Sequence, residues 1–164
     1  MLDRHLVRTL GRVEPAASGS RIAGARVTLR PASASDLDLL TAWFGDPEFV
    51  RWWGGEPKTR DDVAADYLGR NSGNEIVFAF IVLHQSQPIG YIHAWSDEPN
   101  VGGIDIVLIP AAQNRGLGPD AVRTLAHYCR TALQWTEVTI DPAIDNHRAI
   151  RAFEKAGFSP HQIH

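Results

Sequence analysis

The stretch Gln113-Asn114-Arg115-Gly116-Leu117-Gly118 constrains this chain most, because it lies between a β-rich apolar run, "GGIDIVLIP", and a helical pattern. In that pattern Val122, Leu125, Ala126, Cys129 and Leu133 recur on one face. A strand that feeds a glycine-rich turn at the start of a helix leaves backbone amides unpaired at the positive end of the helix dipole, and glycine lets an anion approach them. Pro119 suits the first helical turn, and Asp120 stands beside the same positive end. The turn lacks both a third spaced glycine and a Gly-Lys-Ser/Thr ending, so it is neither the dinucleotide fingerprint nor a P-loop. It reads as a short pyrophosphate cradle or as a plain tight turn.

The elements around it follow from periodicity. "RVTLRPASASDLDLL" changes period at Pro31: Val27 and Leu29 alternate as in a strand, whereas Leu37, Leu40 and Phe44 return at helical spacing after Ser35, an expected N-cap. A second, weaker helix follows Thr59. "IVFAFIVLH" and "PIGYIHAW", separated by Gln85-Ser86-Gln87-Pro88, have the layout of an antiparallel hairpin. "EVTIDP" is a further strand, and "DNHRAIRAFEKAG" a helix that Asn146 starts and Gly157 ends. The order β-α-α-β-β-β-α-β-α implies a mixed sheet flanked by helices. Residues 1–24 read as a flexible extension with a small-residue linker, and residues 25–164 as one domain.

Charge and cysteine content narrow the function classes. Residues 36–105 hold twelve acidic residues against Arg51, Lys58, Arg60 and Arg70, a local net charge of −8. An acidic excess disfavours nucleic-acid backbones, which reward only basic surfaces, and suits a cationic partner. Cys129 is the single cysteine, which excludes an internal disulfide and a cysteine-cluster metal site, and no metal is expected. The seven histidines show no metal-ligand spacing. No apolar run reaches membrane-spanning length and no signal peptide is evident, so a cytoplasmic protein with no membrane partner is expected.

"QNRGLG", with the strand before it and the helix after it, resembles the Q/R-x-x-G-x-G/A signature of the GNAT acyltransferases. "DPAIDNHRAIRAFEKAGF" is similar to that family's Asn-containing helix, and with "VTLRPASASDLDLL" the resemblance spans about residues 26–158. It implies an α/β GNAT fold: a mixed, mostly antiparallel central sheet, flanked by helices, with a split between two parallel strands that admits acetyl-CoA. The amides of Arg115, Gly116, Leu117 and Gly118, after Gln113, would hold the pyrophosphate. The backbone at Val107 and Ile109 would pair with the pantetheine arm, and Asn146 would touch it or serve only as a helix cap.

"EFVRWWGGEP", "GGIDIVLIP" and "TIDPAIDN" further resemble pieces of the aminoglycoside 6'-N-acetyltransferases. This implies a small-molecule amine acceptor, an aminoglycoside, with Asp105 as base or electrostatic anchor and Asp141 as its partner. Trp52 and Trp53 would wall the acceptor cleft, with at most one of them touching substrate. Two departures stand out. Phe153 occupies the place where many GNAT members carry a tyrosine that protonates the leaving thiolate, and only seven residues follow Gly157 where the family runs on through further strands. Missing or shortened terminal strands would expose a sheet edge and favour a homodimer. Acylation of another amine, such as a siderophore hydroxylysine, and binding of coenzyme A or aminoglycoside without turnover are the rival readings.

Overall fold

The computed structural model describes residues 20–69 and 75–160. Its centre is the expected hairpin of β3 (Ile76–His84) and β4 (Gln87–Glu98). The turn is tighter than the four residues suggested: Gln85 and Ser86 alone make it, with φ of 49° and 64°. Two consecutive left-handed residues give the mirror-image turn whose twist matches that of the flanking strands. In β3, Phe78, Phe80 and Val82 face one way and Val77, Ala79 and Ile81 the other, all buried, as expected of a central strand covered on both faces.

β2 (Thr28–Pro31) pairs with β3, β5 (Val101–Leu108) pairs with β4, and all three junctions from β2 to β5 are antiparallel. β6 (Glu137–Thr139) adds to β5 in parallel. On one face α1 (Leu37–Phe44) and α2 (Arg60–Asp66) bury Leu40, Phe44 and Val63 against Ile81 and Tyr91. On the other, α3 (Leu117–Thr131) and α4 (His147–Lys155) bury Leu117, Val122, Leu125 and Phe153 against Phe80, Ile92 and Ile104. Among the described residues no strand follows α4, and no helix is long and apolar enough to cross a membrane.

Three details differ from expectation. Ile22–Ala23, read above as part of the extension, form β1 on the edge of β2, while residues 1–19 lie outside the described set. The cap before α1 centres on Ser33 and Asp36, not Ser35. The Ser33 N–H donates to the Asp36 carboxylate at 2.9 Å, and Arg30 holds that carboxylate at 2.8 and 3.0 Å. Asp120 acts less as a dipole charge than as a latch. It is 3% exposed and accepts the backbone N–H of Ala25, Arg26 and Val27 at 3.2, 2.8 and 3.0 Å. The signal for this pairing is absent locally, because the partners are more than ninety residues apart.

Paired glycines let β5 pass between two tryptophans. A Cβ at Gly102 would sit 2.3 Å from the Trp135 ring, and one at Gly103 2.5 Å from the Trp95 ring on the opposite face. Cys129 is fully buried in α3 as expected, and burial pushes its thiol up to about 12. The native protein at pH 8 should therefore leave Ellman's reagent unreacted over the minutes in which denatured protein yields its full thiol; rapid native reaction would show that this helix face opens.

Candidate active site

The glycine turn is built around two left-handed residues, Asn114 at φ 60° and Gly116 at φ 75°. Gly116 caps α3, and a Cβ there would come within 3.1 Å of the Arg26 guanidinium. The Gln113 side-chain amide donates to the Leu108 carbonyl at 3.0 Å, and the Arg26 guanidinium donates to the Arg115 carbonyl. These two contacts fasten the turn to β5 and to the N-terminal segment. The N–H groups of residues 115–118 have no partner among the described residues and stand at the positive end of a fifteen-residue helix. The turn thus leaves these four donors open instead of satisfying them with its own hydrogen bonds.

Beside the cradle the sheet opens. β5 and β6 pair only from Val101↔Glu137 to Gly103↔Thr139, after which β5 continues to Leu108 paired with β4 but not with β6. A cleft of about 370 Å³ occupies the gap, with Ile106 and Leu108 on one wall and Asn146, Ala149 and Phe153 on the other. Here the expected pairing residues are displaced by one. The Ile109 N–H donates to the Ile89 carbonyl at 2.9 Å and so faces β4. Strand alternation turns the Val107 amide the same way and leaves those of Ile106 and Leu108 toward the gap. Val107 still lines the cleft, whereas Ile109 does not.

Asn146 caps α4, its side-chain oxygen accepting the Ala149 N–H at 3.2 Å, and it also lines the cleft with its amide nitrogen unpartnered among the described residues. Three cations missed by the sequence reading, Arg148, Arg151 and Lys155, line the same cleft, and none meets a carboxylate among the described residues. Their spacing of three and four residues places them on one face of α4, a signal that was available in the sequence.

Asp105 lies on the opposite face of the sheet, where α1 and α2 pack. It stands directly across from His93 on β4, and His93 Nε2 is 3.0 Å from Asp105 Oδ2. His93 Nδ1 is 3.2 Å from the Tyr91 hydroxyl. Tyr91 is fully buried, and burial pushes its phenol well above the ordinary tyrosine range. The two tryptophans diverge. Trp53 stacks obliquely on His93, with ring centroids 5.2 Å apart, and its indole N–H donates to the Tyr67 hydroxyl at 2.9 Å. Trp52 turns instead into the 370 Å³ cleft, 42% exposed, with the Arg51 guanidinium 5.2 Å from its ring centre. Asp141 is exposed beyond β6 and is not among the residues lining the cleft.

Beside the split, one face of the sheet carries unpartnered amides and cations, and the other presents a half-exposed carboxylate among aromatic rings. Such a passage suits transfer of a group between an anionic donor and a cationic acceptor. Residues 26–159 match the family described as Acetyltransferase (GNAT) domain, and the chain belongs to that family. Aminoglycoside N(6')-acetyltransferase type 1 of Klebsiella pneumoniae is 37% identical to it, over 80% of this chain and 73% of the relative. The structure of AAC(6')-Ib with paromomycin and acetyl-CoA superposes with a TM-score of 0.75 at 33% identity, covering 83% of this chain and 84% of that one. The aminoglycoside acetyltransferase AAC(6')-Ib with coenzyme A and kanamycin gives 0.74 at 32% identity, covering 82% and 85%.

Proposed function

We propose that this chain is an N-acetyltransferase that moves an acetyl group from acetyl-CoA to a primary amine of an aminoglycoside, the 6'-amine, directly within a ternary complex. The observation that carries this reading is the split itself: β5 parts from β6 after Gly103, with Asp105 on the parted stretch and the free amides of residues 115–118 following it. When bound, acetyl-CoA supplies an activated acetyl thioester. The residues present fit such a donor. Four consecutive N–H groups and the cations Arg148, Arg151 and Lys155 match a chain of phosphates, and the apolar side chains of Ile106 and Ala149 that line the cleft suit a thin arm. The amides of Ile106 and Leu108, aimed into the gap, can stabilise negative charge developing on a carbonyl oxygen.

On the other face, an alkylammonium is not a nucleophile until it loses a proton. Asp105 presents one carboxylate oxygen held by His93 and a second with no protein partner among the described residues, and that second oxygen takes the proton. Asp141 stands two residues past Thr139, as Asp105 stands two past its register partner Gly103, so the strands carry one carboxylate on each lip of the split. Together they anchor a polycation; Trp53 packs on the His93 ring that holds Asp105 and gives the acceptor an apolar wall. Phe153 lines the cleft with no proton to give, so the departing thiolate receives none from this position; with a thiol pKa of about 8.5, it is a tolerable leaving group unaided.

NMR of the kanamycin product tests the regiochemistry. The acetyl group is expected on the 6'-nitrogen, and a product modified at any other amine would contradict it.

A further inference from the structure

We infer that His93 is a positioning residue for Asp105: Tyr91 fixes it as the neutral imidazole protonated at Nε2, and that N–H holds one carboxylate oxygen so that the other faces the acceptor amine. The inference deepens the reading above and rests on Asp105 having the role given there.

The argument starts from the least accessible group. The Tyr91 hydroxyl is fully buried, and its one partner among the described residues is His93 Nδ1. A buried phenol retains its proton and must donate it, because a buried donor without an acceptor costs about 1–3 kcal/mol. Nδ1 is therefore the acceptor and carries no hydrogen, which leaves the hydrogen on Nε2, directed at Asp105 Oδ2 3.0 Å away. Trp53 covers the imidazole, and the ring is 9% exposed as a residue, so water competes little for either nitrogen. Asp105, with 44% of its side chain exposed, is thereby fixed at one oxygen and open at the other.

The hydrogen-bond pattern is that of a neutral ring. An imidazolium would donate from both nitrogens and leave the Tyr91 hydroxyl hydrogen without its acceptor. It would also pair with Asp105, cancelling the charge that attracts a cation and weakening the carboxylate as a base. The groups facing this assembly are Tyr91 on β4, Asp105 on β5, Trp53 from the segment after α1, and Tyr67 beyond α2, with Asp66 the further carboxylate whose charge acts on both tyrosines.

Two measurements test this. Long-range proton–nitrogen NMR of the free wild-type protein should show His93 Nδ1 as an unprotonated nitrogen and Nε2 as the protonated one; the opposite tautomer, or an imidazolium at neutral pH, would overturn the inference. This readout needs no acceptor, so its failure is distinct from a failure to acetylate aminoglycosides. The second is kinetic. His93→Leu should lower kcat by ~100-fold, the scale of a misplaced catalytic group, with the KM for acetyl-CoA unchanged. His93→Gln, whose amide N–H can reach Asp105, should recover at least ~10-fold of that loss. Equal kcat in His93→Leu and wild type, or a Gln variant no better than Leu, would show that His93 only fills space.

Discussion

Asp105→Asn is expected to lower kcat/KM for kanamycin by ~10²- to 10⁴-fold at pH 7 while leaving the fold and acetyl-CoA affinity intact. The substitution is isosteric, and the new amide oxygen can still accept from His93 Nε2, so the geometry survives. What disappears is the negative charge and the proton acceptor. The carboxylate is 44% exposed and has one hydrogen bond among the described residues, so the effect on stability should stay within about 0.5 kcal/mol. The cradle amides and the cations of α4 lie on the other face and are not disturbed. The sign of the pH dependence follows from the chemistry. As pH rises toward the pKa of the acceptor ammonium, the free amine needs no base, so the deficit should narrow. A variant that retains wild-type kcat/KM at pH 7 would remove Asp105 from the mechanism, and a deficit that ignores pH would make it an anchor rather than a base.

The largest structural effect is expected from Asp120→Ala. Its carboxylate is buried at the start of α3 and accepts three backbone N–H groups, from Ala25, Arg26 and Val27. Removing it leaves those donors with no acceptor on a segment that packs against the helix closely enough for a Cβ on Gly24 to lie 2.4 Å from Thr124 Oγ1. Hydrogen bonds to a charged acceptor and orphaned donors together set the loss at about 3–5 kcal/mol, a large share of the 5–15 kcal/mol typical of a domain. The thermal midpoint should fall by about 10 °C. Asp120→Asn should recover part of the loss, since its amide oxygen can replace Oδ2, which accepts from Arg26 and Val27, while its NH₂ group would face only the Ala25 N–H. The same segment carries Arg26, which donates to the Arg115 carbonyl, so the variant should also bind coenzyme A more weakly. A midpoint within 2 °C of wild type would mean that water replaces the carboxylate at this site.

How much of this could be read from the residues depends on the range of the interaction. The glycine turn, helix α3 and the β3–β4 hairpin were legible because periodicity and turn chemistry act over a few residues. The split was legible through resemblance, but which amides line it was not. Its parity is set by one bond from Ile109 to Ile89, across strands, and moving the register by one residue exchanges the two sides. The Asp120 latch spans more than ninety residues, and nothing around Asp120 announces it. His93 in "PIGYIHAW" reads as a histidine in a buried strand, and it acquires a role only when β5 sets Asp105 opposite it. The divergence of Trp52 and Trp53 follows from the irregular segment between α1 and α2, where no period fixes side-chain direction. The cations of α4 were the avoidable omission, since Arg148, Arg151 and Lys155 share one helical face.

The central claim is tested most directly by following thiol release from acetyl-CoA, with purified full chain, in the presence and absence of kanamycin. Release that depends on both the aminoglycoside and the protein, and saturates with each substrate, is the expected result. Binding of both ligands by calorimetry with no thiol released would contradict the account, and would mean that a chain with Phe153 in its cleft holds the two substrates without joining them.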